Sequence, residues 1–200
     1  MIDDQILHQF DTQTPEQVLN PGYGQGYLFF VSRDNVHGII LQLLQQEKLG
    51  IIGNMFGFDD EELNKAIMDK FAQPSVQVQI TLDKSQAGGV HEKNIVAADQ
   101  KQDSTDFNNS FAIGESATHQ ISHTKGFVLL GQGIYFEGST NWSSSGEGVG
   151  ISLKADIKNP AGYKAQANTL FVSTNHINLT RFRTQLDSEH AIAKAQTVAK

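Results

Sequence analysis

The feature that most constrains the fold is the order of apolar segments between residues 27 and 83. Short apolar runs at 27–32, 49–58 and 76–83 have the length and composition of buried strands, and the last alternates strictly between apolar and polar residues. The two segments between these runs carry apolar residues at helical spacing. The strand, helix, strand, helix, strand order predicts an α/β sheet with crossover helices.

Both predicted helices have clear start signals. Asn35 is the expected N-cap of the first helix, and acidic residues crowd the first turn of the second, where they complement the helix dipole. Pro74 ends the second helix. The apolar stripes expected to face the sheet are Ile39, Ile40, Leu43 and Leu44 in the first helix and Leu63, Ile67 and Phe71 in the second.

The second half of the chain carries more strand candidates and a terminal helix. The strand candidates are residues 110–114, 119–130, 133–140 and 166–174. The terminal helix is expected to have Asn178 as its N-cap and Leu179, Phe182, Leu186 and Ile192 on its apolar face. Between the two halves, residues 84–109 are polar and rich in Gly, Gln and Asp, so this long segment is either functional or mobile.

Composition excludes several classes of protein. The 200 residues are enough for one domain, and the absence of cysteine excludes a disulfide scaffold, cysteine-ligated zinc and a thiol nucleophile. It also suits a reducing compartment, so we expect a cytoplasmic protein. Residues 1–10 do not form a secretory signal, and no apolar window is long enough to span a membrane. A net charge of −7 argues against a broad non-specific grip on nucleic acid.

A possible site lies in the hairpin predicted around the turn sequence GQG. His123 and Lys125 are two residues apart and would share one face of a strand. If the turn is centred on Gln132, the numbers of cross-strand partners sum to 264. His123 then lies opposite Asn141, and Lys125 lies opposite Ser139.

An imidazole, an ammonium, a hydroxyl and an amide on one patch form a site for an oxyanion, most plausibly a phosphate. The histidine supplies a nucleophile or a proton carrier, and Gly138 keeps the surface open to a ligand. The alternative is an edge hairpin with scattered polar residues. The spacing H-x-K alone means little, because residues 91–93 repeat it without the matching Gly and Ser.

The sequence H-T-K, followed by G-S-T-N starting 15 residues after the histidine, resembles the HKD motif of the phospholipase D superfamily. The resemblance extends to IIGNMFGFDDEELNKAI, VQVQITLDKSQAGG, GSTNWSSSGE and QANTLFV, and covers most of residues 27–192. It implies one domain at 27–200, a mixed β-sheet sandwiched by helices, preceded by an N-terminal extension at 1–26.

The resemblance implies a hydrolase, specifically a phosphodiesterase that needs no metal or cofactor. By similarity, His123 attacks phosphorus to form a phosphohistidine while a second histidine protonates the leaving group. Lys125 and Asn141 would hold the non-bridging oxygens, with support from Ser139. The residue that orients the histidine is either Glu147 or Asn168.

The chemistry needs two such histidines, and the chain has one complete motif. Small single-motif members of the superfamily pair two subunits, so the resemblance implies a homodimer with a composite active site. His119 is even-spaced from His123 but lacks a lysine in register. The remaining candidates are interpreted as surface or helix histidines: His8, His37, His176 and His190.

The chain departs from the superfamily pattern in two places. Leu130 stands where the motif has Asp, and strand parity turns it away from His123 into packed core. Residues 148–165 form an apparent insertion, either an extra ribbon over the site or a surface loop. Trp142 and Tyr135 would either stack on a base or line an acyl groove, or serve in packing.

Three functions follow from this pattern. The first is a nuclease, an endonuclease acting on DNA or RNA, although the chain has only three arginines. The second is a phospholipid hydrolase or phosphatidyl transferase, which would need an exposed apolar rim. The third is a catalytically weakened protein that keeps the fold for binding, which Leu130 makes credible.

Overall fold

The protein forms an eight-stranded mixed sheet with helices on both faces. The computed structural model describes residues 16–20, 24–31, 33–87, 93–94, 96–97, 104–149 and 164–198. The strands are β1 (Glu16–Asn20), β2 (Gly24–Phe30), β3 (Gly50–Met55), β4 (Gln77–Asp83), β5 (Phe111–Gly114), β6 (Gly126–Leu129), β7 (Ile134–Gly138) and β8 (Thr169–Ser173). The helices are α1 (Val36–Gln46), α2 (Glu61–Phe71), α3 (Lys84–Ala87), α4 (Ser104–Ser110), α5 (Ser144–Glu147) and α6 (His176–Val198).

The strand order is β1-β2-β8-β7-β6-β3-β4-β5. Strands β3, β4 and β5 pair in parallel, and every other pairing is antiparallel. The predicted α/β fold with a mixed sheet between helices is confirmed. These directions bring the carboxyl ends of β2, β3, β4, β5 and β7 and the amino ends of β6 and β8 to one edge of the sheet. We call it the carboxyl edge; α1 and α2 begin there.

The helix starts follow from capping side chains. The Asn35 side chain accepts the Gly38 amide at 3.1 Å, and Asp60 accepts the Leu63 amide at 2.8 Å. The cap predicted for the terminal helix was wrong: α6 begins at His176, and Asn175 accepts the Asn178 amide at 3.0 Å. Asn175 is buried at the end of β8, where it can fix the direction in which the chain leaves the sheet.

Two apolar layers hold the sheet between the helices. The larger one lies under α1 and α2 and contains Phe127 and Trp142. The smaller one lies under α6, where Leu186 packs with Ile52 and Val128. Leu130 joins the smaller layer, which confirms its predicted packing role. In the described part of the chain, no helix has both the length and the apolar character needed to cross a membrane.

The hairpin exists, but its predicted register was wrong. Phe127 pairs with Phe136, so the numbers of cross-strand partners sum to 263, because the turn has four residues and Gly133 adopts a positive φ of 61°. A slip of one residue changes every facing pair. His123 therefore does not face Asn141, and Lys125 does not face Ser139.

Several segments differ from their predicted boundaries. Residues 16–20, within the predicted extension, form the edge strand β1. The polar segment 84–109 is partly helical, through α3 and most of α4. The candidate strand 119–130 is regular only in β6, so strand parity does not apply to His119. Most of the insertion 148–165 lies outside the described residues.

Candidate active site

His123 and Lys125 lie in the short irregular segment before β6, at the carboxyl edge. The ring of Phe56, just after β3, contacts both. The His123 ring meets it edge-on with 4.5 Å between centroids, and the Lys125 Nζ lies 4.8 Å from its centroid. The Lys125 Nζ also donates to the His123 carbonyl oxygen at 3.0 Å. Phe56, which sequence reasoning missed, is thus the platform on which this pair rests.

The pair has the charges that an anion site needs. His123 is exposed, whereas Lys125 is buried. Burial lowers the pKa of His123, and the Lys125 charge lowers it further, against the opposing effect of Asp83. Burial also lowers the pKa of Lys125, and Asp83 opposes this too. The imidazole is therefore mostly neutral at pH 7, the form that acts as a nucleophile.

Ser122 and Thr124, which alternate with His123 and Lys125, form hydrogen bonds on the side of the sheet that α6 covers. The Ser122 amide donates to Asp83 at 2.7 Å, and its hydroxyl accepts from Asn54 at 3.0 Å. The Thr124 hydroxyl donates to Glu189 of α6 at 3.1 Å, and Asn54 also donates to Glu189. These contacts hold the residues on either side of His123.

Sequence reasoning missed this supporting network, although part of it left a signal. Asp83 is a carboxylate at the end of a strictly alternating strand, and Asn54 is a polar residue inside an apolar run. Both are buried. A buried polar group usually has a hydrogen-bonding role, so each position could have been marked.

The G-S-T-N segment is tied to β8. The Ser139 hydroxyl accepts from the Thr169 amide at 3.0 Å, and the Thr140 hydroxyl donates to the Thr169 carbonyl oxygen at 3.0 Å. The expectation that Gly138 serves to keep the surface open to a ligand was wrong. A Cβ at Gly138 would lie 2.0 Å from the Thr169 carbonyl oxygen, so this glycine is required by close packing of two backbones.

Asn141 lies against the chain that leaves β3. A Cβ on Gly57 would approach its side chain to 3.1 Å, and its amide oxygen is buried without a hydrogen-bond partner. Among the described residues, no hydrogen bond, ion pair or ring contact joins His123 or Lys125 to Ser139 or Asn141. Residues 56–57 stand between the two groups and contact both.

The role proposed for Trp142 in binding substrate is contradicted. Trp142 is fully buried and stacks on Phe127, with 4.4 Å between ring centroids and 7° between planes. Tyr135 is buried with Phe171 and Phe182 and also serves in packing. Asn168 donates to the Gly146 carbonyl oxygen at 2.9 Å, a contact that joins the α5 turn to the start of β8.

Glu147 has a different partner from the one expected. Its carboxylate lies 2.5 Å from Nδ1 of His37 in α1, so it does not contact His123 of the same chain. The hydrogen bond to Glu147 raises the pKa of His37 to about 9, and burial raises the pKa of Glu147 to about 7. Asp60 lies 3.6 Å from the same His37 nitrogen, and Glu62 lies 2.9 Å from Nε2.

The histidines at positions 119, 176 and 190 do not contact His123 or Lys125. His119 is exposed and 3.3 Å from Glu115, and its backbone has a positive φ of 56°. His176 and His190 lie in α6, as helix histidines, and His190 is buried against Thr81 at 3.0 Å. His8 lies outside the described residues.

No family model and no curated protein matches the sequence. Solved structures match most of the chain, and they show that it has the phospholipase D fold. It is similar to Nuc of Salmonella typhimurium, described as a phospholipase D family member, at 13% identity and a TM-score of 0.61, over 88% of this chain and 96% of that one. It is similar to NucT of Helicobacter pylori at 14% identity and a TM-score of 0.59, over 84% and 97% of the two chains.

A larger protein shares the same fold. The phosphatidylserine synthase of Haemophilus influenzae matches at 12% identity and a TM-score of 0.58, over 92% of this chain but only 40% of its own. This chain therefore matches nearly all of Nuc and NucT, but less than half of the synthase.

Proposed function

We propose that the protein is a metal-independent phosphodiesterase that acts through a phosphohistidine at His123. The observation that carries the proposal is an exposed, largely neutral imidazole beside a buried ammonium, on one aromatic platform at the carboxyl edge of a phospholipase D fold. Ligands of open α/β sheets bind at this kind of edge.

His123 attacks phosphorus and forms a nitrogen–phosphorus bond while the bond to the leaving oxygen breaks. A second histidine donates its proton to that oxygen. Water then attacks the phosphohistidine, gives a proton back to the second histidine and frees His123. Lys125 and Asn141 hold the non-bridging oxygens, with Ser139 behind them.

The second histidine is proposed to be His123 of a second copy of the chain, in a homodimer with one composite site. No other histidine among the described residues contacts His123 or Lys125. Ile121, two residues before His123, exposes 57% of its surface. An exposed isoleucine beside the site suits a contact between subunits at this edge.

A nucleic acid phosphodiester is the proposed substrate, supported by the likeness of this fold to Nuc and NucT over nearly all of their chains. The fold of the phosphatidylserine synthase favours a phospholipid as the second candidate. The exposed large apolar residues of the described chain do not cluster, which argues against binding to a lipid surface. Ile121 is at the carboxyl edge, whereas Leu49 and Ile177 are at the opposite edge.

The proposal is tested by replacing His123 and assaying two substrates in EDTA. The wild type is expected to nick plasmid DNA, and His123→Asn is expected to lose at least a thousandfold in rate, because it lacks the nucleophile. His119→Asn is the matched control, since Asn tolerates its positive φ and its side chain is 74% exposed. Circular dichroism checks that each variant folds.

The outcomes separate the candidate functions. Turnover of labelled phospholipid vesicles without DNA nicking would replace the nuclease assignment with the lipid one. No turnover of either substrate, with phosphate ligands still bound, would indicate a catalytically weakened binding protein. Leu130, which replaces the Asp of the motif, would then account for the weak catalysis. Equal activity in His123→Asn and wild type would refute the phosphohistidine.

A further inference from the structure

A second polar cluster lies outside the His123 site, where the starts of α1 and α2 meet α5. Its members are His37, Asp60 and Glu147, whose ligand-capable atoms all lie within 4.8 Å of one another. Glu62 adds a fourth group on the outer side of the His37 ring. The His123 chemistry proposed above uses none of them.

The cluster has an excess of negative charge. Three carboxyl groups, those of Asp60, Glu62 and Glu147, surround one imidazole, so the acids outnumber the single positive charge that His37 can supply. No ion pair in the described chain brings a lysine or arginine to these three acids. The Glu147 side chain is completely buried, and a buried carboxylate is costly unless its charge is fully compensated.

One atom of the cluster points to a ligand independently of the charge count. Oε1 of Glu147 is buried and has no hydrogen-bond partner, although Oε2 of the same carboxylate contacts His37. A buried carboxylate oxygen normally accepts two bonds, and leaving it empty costs stability. A cation held by this carboxylate would satisfy that oxygen.

The orientation of His37 is the one found in metal sites. Nε2 lies 2.9 Å from Glu62 and can donate its proton there, so a cation that displaces the proton between Nδ1 and Glu147 would meet an Nδ1 lone pair that faces Asp60 and Glu147. Metal-bound histidines usually donate the other ring nitrogen to a carboxylate in this way. Bonds of about 2.0–2.1 Å place tetrahedral ligand atoms about 3.4 Å apart. The 3.6 Å between Nδ1 and Asp60 fits this spacing, and the 2.5 Å to Glu147 would lengthen by about 1 Å.

We propose that His37, Asp60 and Glu147 bind one divalent transition-metal ion, with Zn²⁺ the best match to this nitrogen and oxygen set. The ion is structural and does not touch the phosphate. The Asp60 amide donates to the Trp142 carbonyl oxygen at 2.9 Å, so the ion braces the segment that carries Asn141.

The test is metal binding by chelator-treated, dialysed protein, measured by calorimetry with Zn²⁺ and by visible absorption with Co²⁺. The wild type is expected to bind one equivalent, to show Co²⁺ bands typical of four-coordination and to unfold at a higher temperature with Zn²⁺. Glu147→Gln removes a ligand and should abolish the bands. Glu62→Gln, at an exposed position, should weaken affinity about tenfold to a hundredfold.

Glu61→Gln is the matched control, because Glu61 is an exposed neighbour in the same helical turn and belongs to no part of the cluster. It should bind like the wild type. If Glu147→Gln does not fold, the proposal is tested by comparing the metal affinities of Glu62→Gln and Glu61→Gln. Failure of the wild type to bind one equivalent, or equal affinity in all variants, would overturn the proposal and leave a protonated His37 bridging the acids. Since the readout is binding, it is independent of whether the protein cleaves phosphodiesters.

Discussion

Thr124 is held away from the proposed substrate site. It lies between His123, the proposed nucleophile, and Lys125, and its hydroxyl donates to Glu189 of α6. The bond is to a carboxylate, which makes it stronger than one between neutral groups. Thr124 therefore sets the position of His123 and Lys125 from behind.

Thr124→Val is expected to lower kcat about tenfold or more, since a hydrogen bond to a charged group contributes about 1.5–3 kcal/mol and Val keeps the shape of the side chain. KM should change less, because no group that binds phosphate is lost. Steady-state kinetics on the substrate that the wild type cleaves measures both constants.

Thr124→Ser keeps the hydroxyl and should restore kcat to near the wild-type value. If Ser is as impaired as Val, the lost methyl group and not the hydrogen bond is responsible. If Val matches the wild type, Glu189 has no positioning role.

At the scale of elements, the β6–β7 hairpin is held by a carboxylate from another part of the chain. The resemblance to phospholipase D expects Asp at position 130, where this chain has Leu. Glu47, just after α1, is fully buried and accepts the amides of Gly131 and Gly50 at 2.8 and 3.0 Å. Glu47 thus supplies a buried carboxylate to the turn that follows Leu130.

Glu47→Gln should lower the free energy of unfolding by about 2–3 kcal/mol at pH 7, because several amides lose a charged acceptor. Burial acts to raise the pKa of Glu47, but the amides of Gly50, Leu49 and Gly131 outweigh it and hold the pKa below its usual value. A carboxylate with a lowered folded pKa stabilises above its unfolded pKa, and this contribution is lost as the pH falls through the folded value. Urea titrations at pH 7 and below pH 4 measure the change.

The difference in free energy of unfolding between the wild type and Glu47→Gln should therefore be largest at pH 7 and should become smaller as the pH falls. Glu137→Gln, at an exposed position of the same hairpin, should have little effect at either pH. A difference in unfolding free energy that does not depend on pH would mean that the charge of Glu47 is not what stabilises the turn, and no difference at all would mean that Glu47 acts through its shape alone.

The sequence predicted the structural features that depend on residues close together in the chain. The predicted cap at Asn35 acts within three residues, and the inward face of β4 follows from simple alternation. The hairpin register was missed because one extra turn residue changes every facing pair. The contact between His37 and Glu147 joins residues 110 positions apart, and no local pattern encodes it. The H-T-K and G-S-T-N motifs marked the site, but their neighbours on β3 and α6 came only from the fold.

For the whole molecule, the proposed composite site would make activity depend on pairs of chains. Light scattering should give a mass of about 44 kDa, twice the 22.0 kDa of one chain. When wild type is mixed and re-equilibrated with His123→Asn at constant total protein, activity should fall with the square of the wild-type fraction. The reason is that a working site needs two intact histidines.

Mixing with Asp69→Asn gives the baseline, because Asp69 lies on an exposed turn of α2 away from the carboxyl edge. That mixture should keep full activity at every ratio. A linear fall with His123→Asn, or a particle of one chain at working concentration, would show that each chain acts alone.

The pairing of β2 with β8 has a consequence for how the chain is made. Gly26 pairs with Ser173, so β2 cannot pair with β8 until residues far along the chain have been synthesised. The sheet cannot close on the ribosome until β8 has emerged. Contacts this distant in sequence slow folding and leave strand edges exposed meanwhile. A nascent chain stalled before residue 169 should therefore remain sensitive to protease and dependent on chaperones.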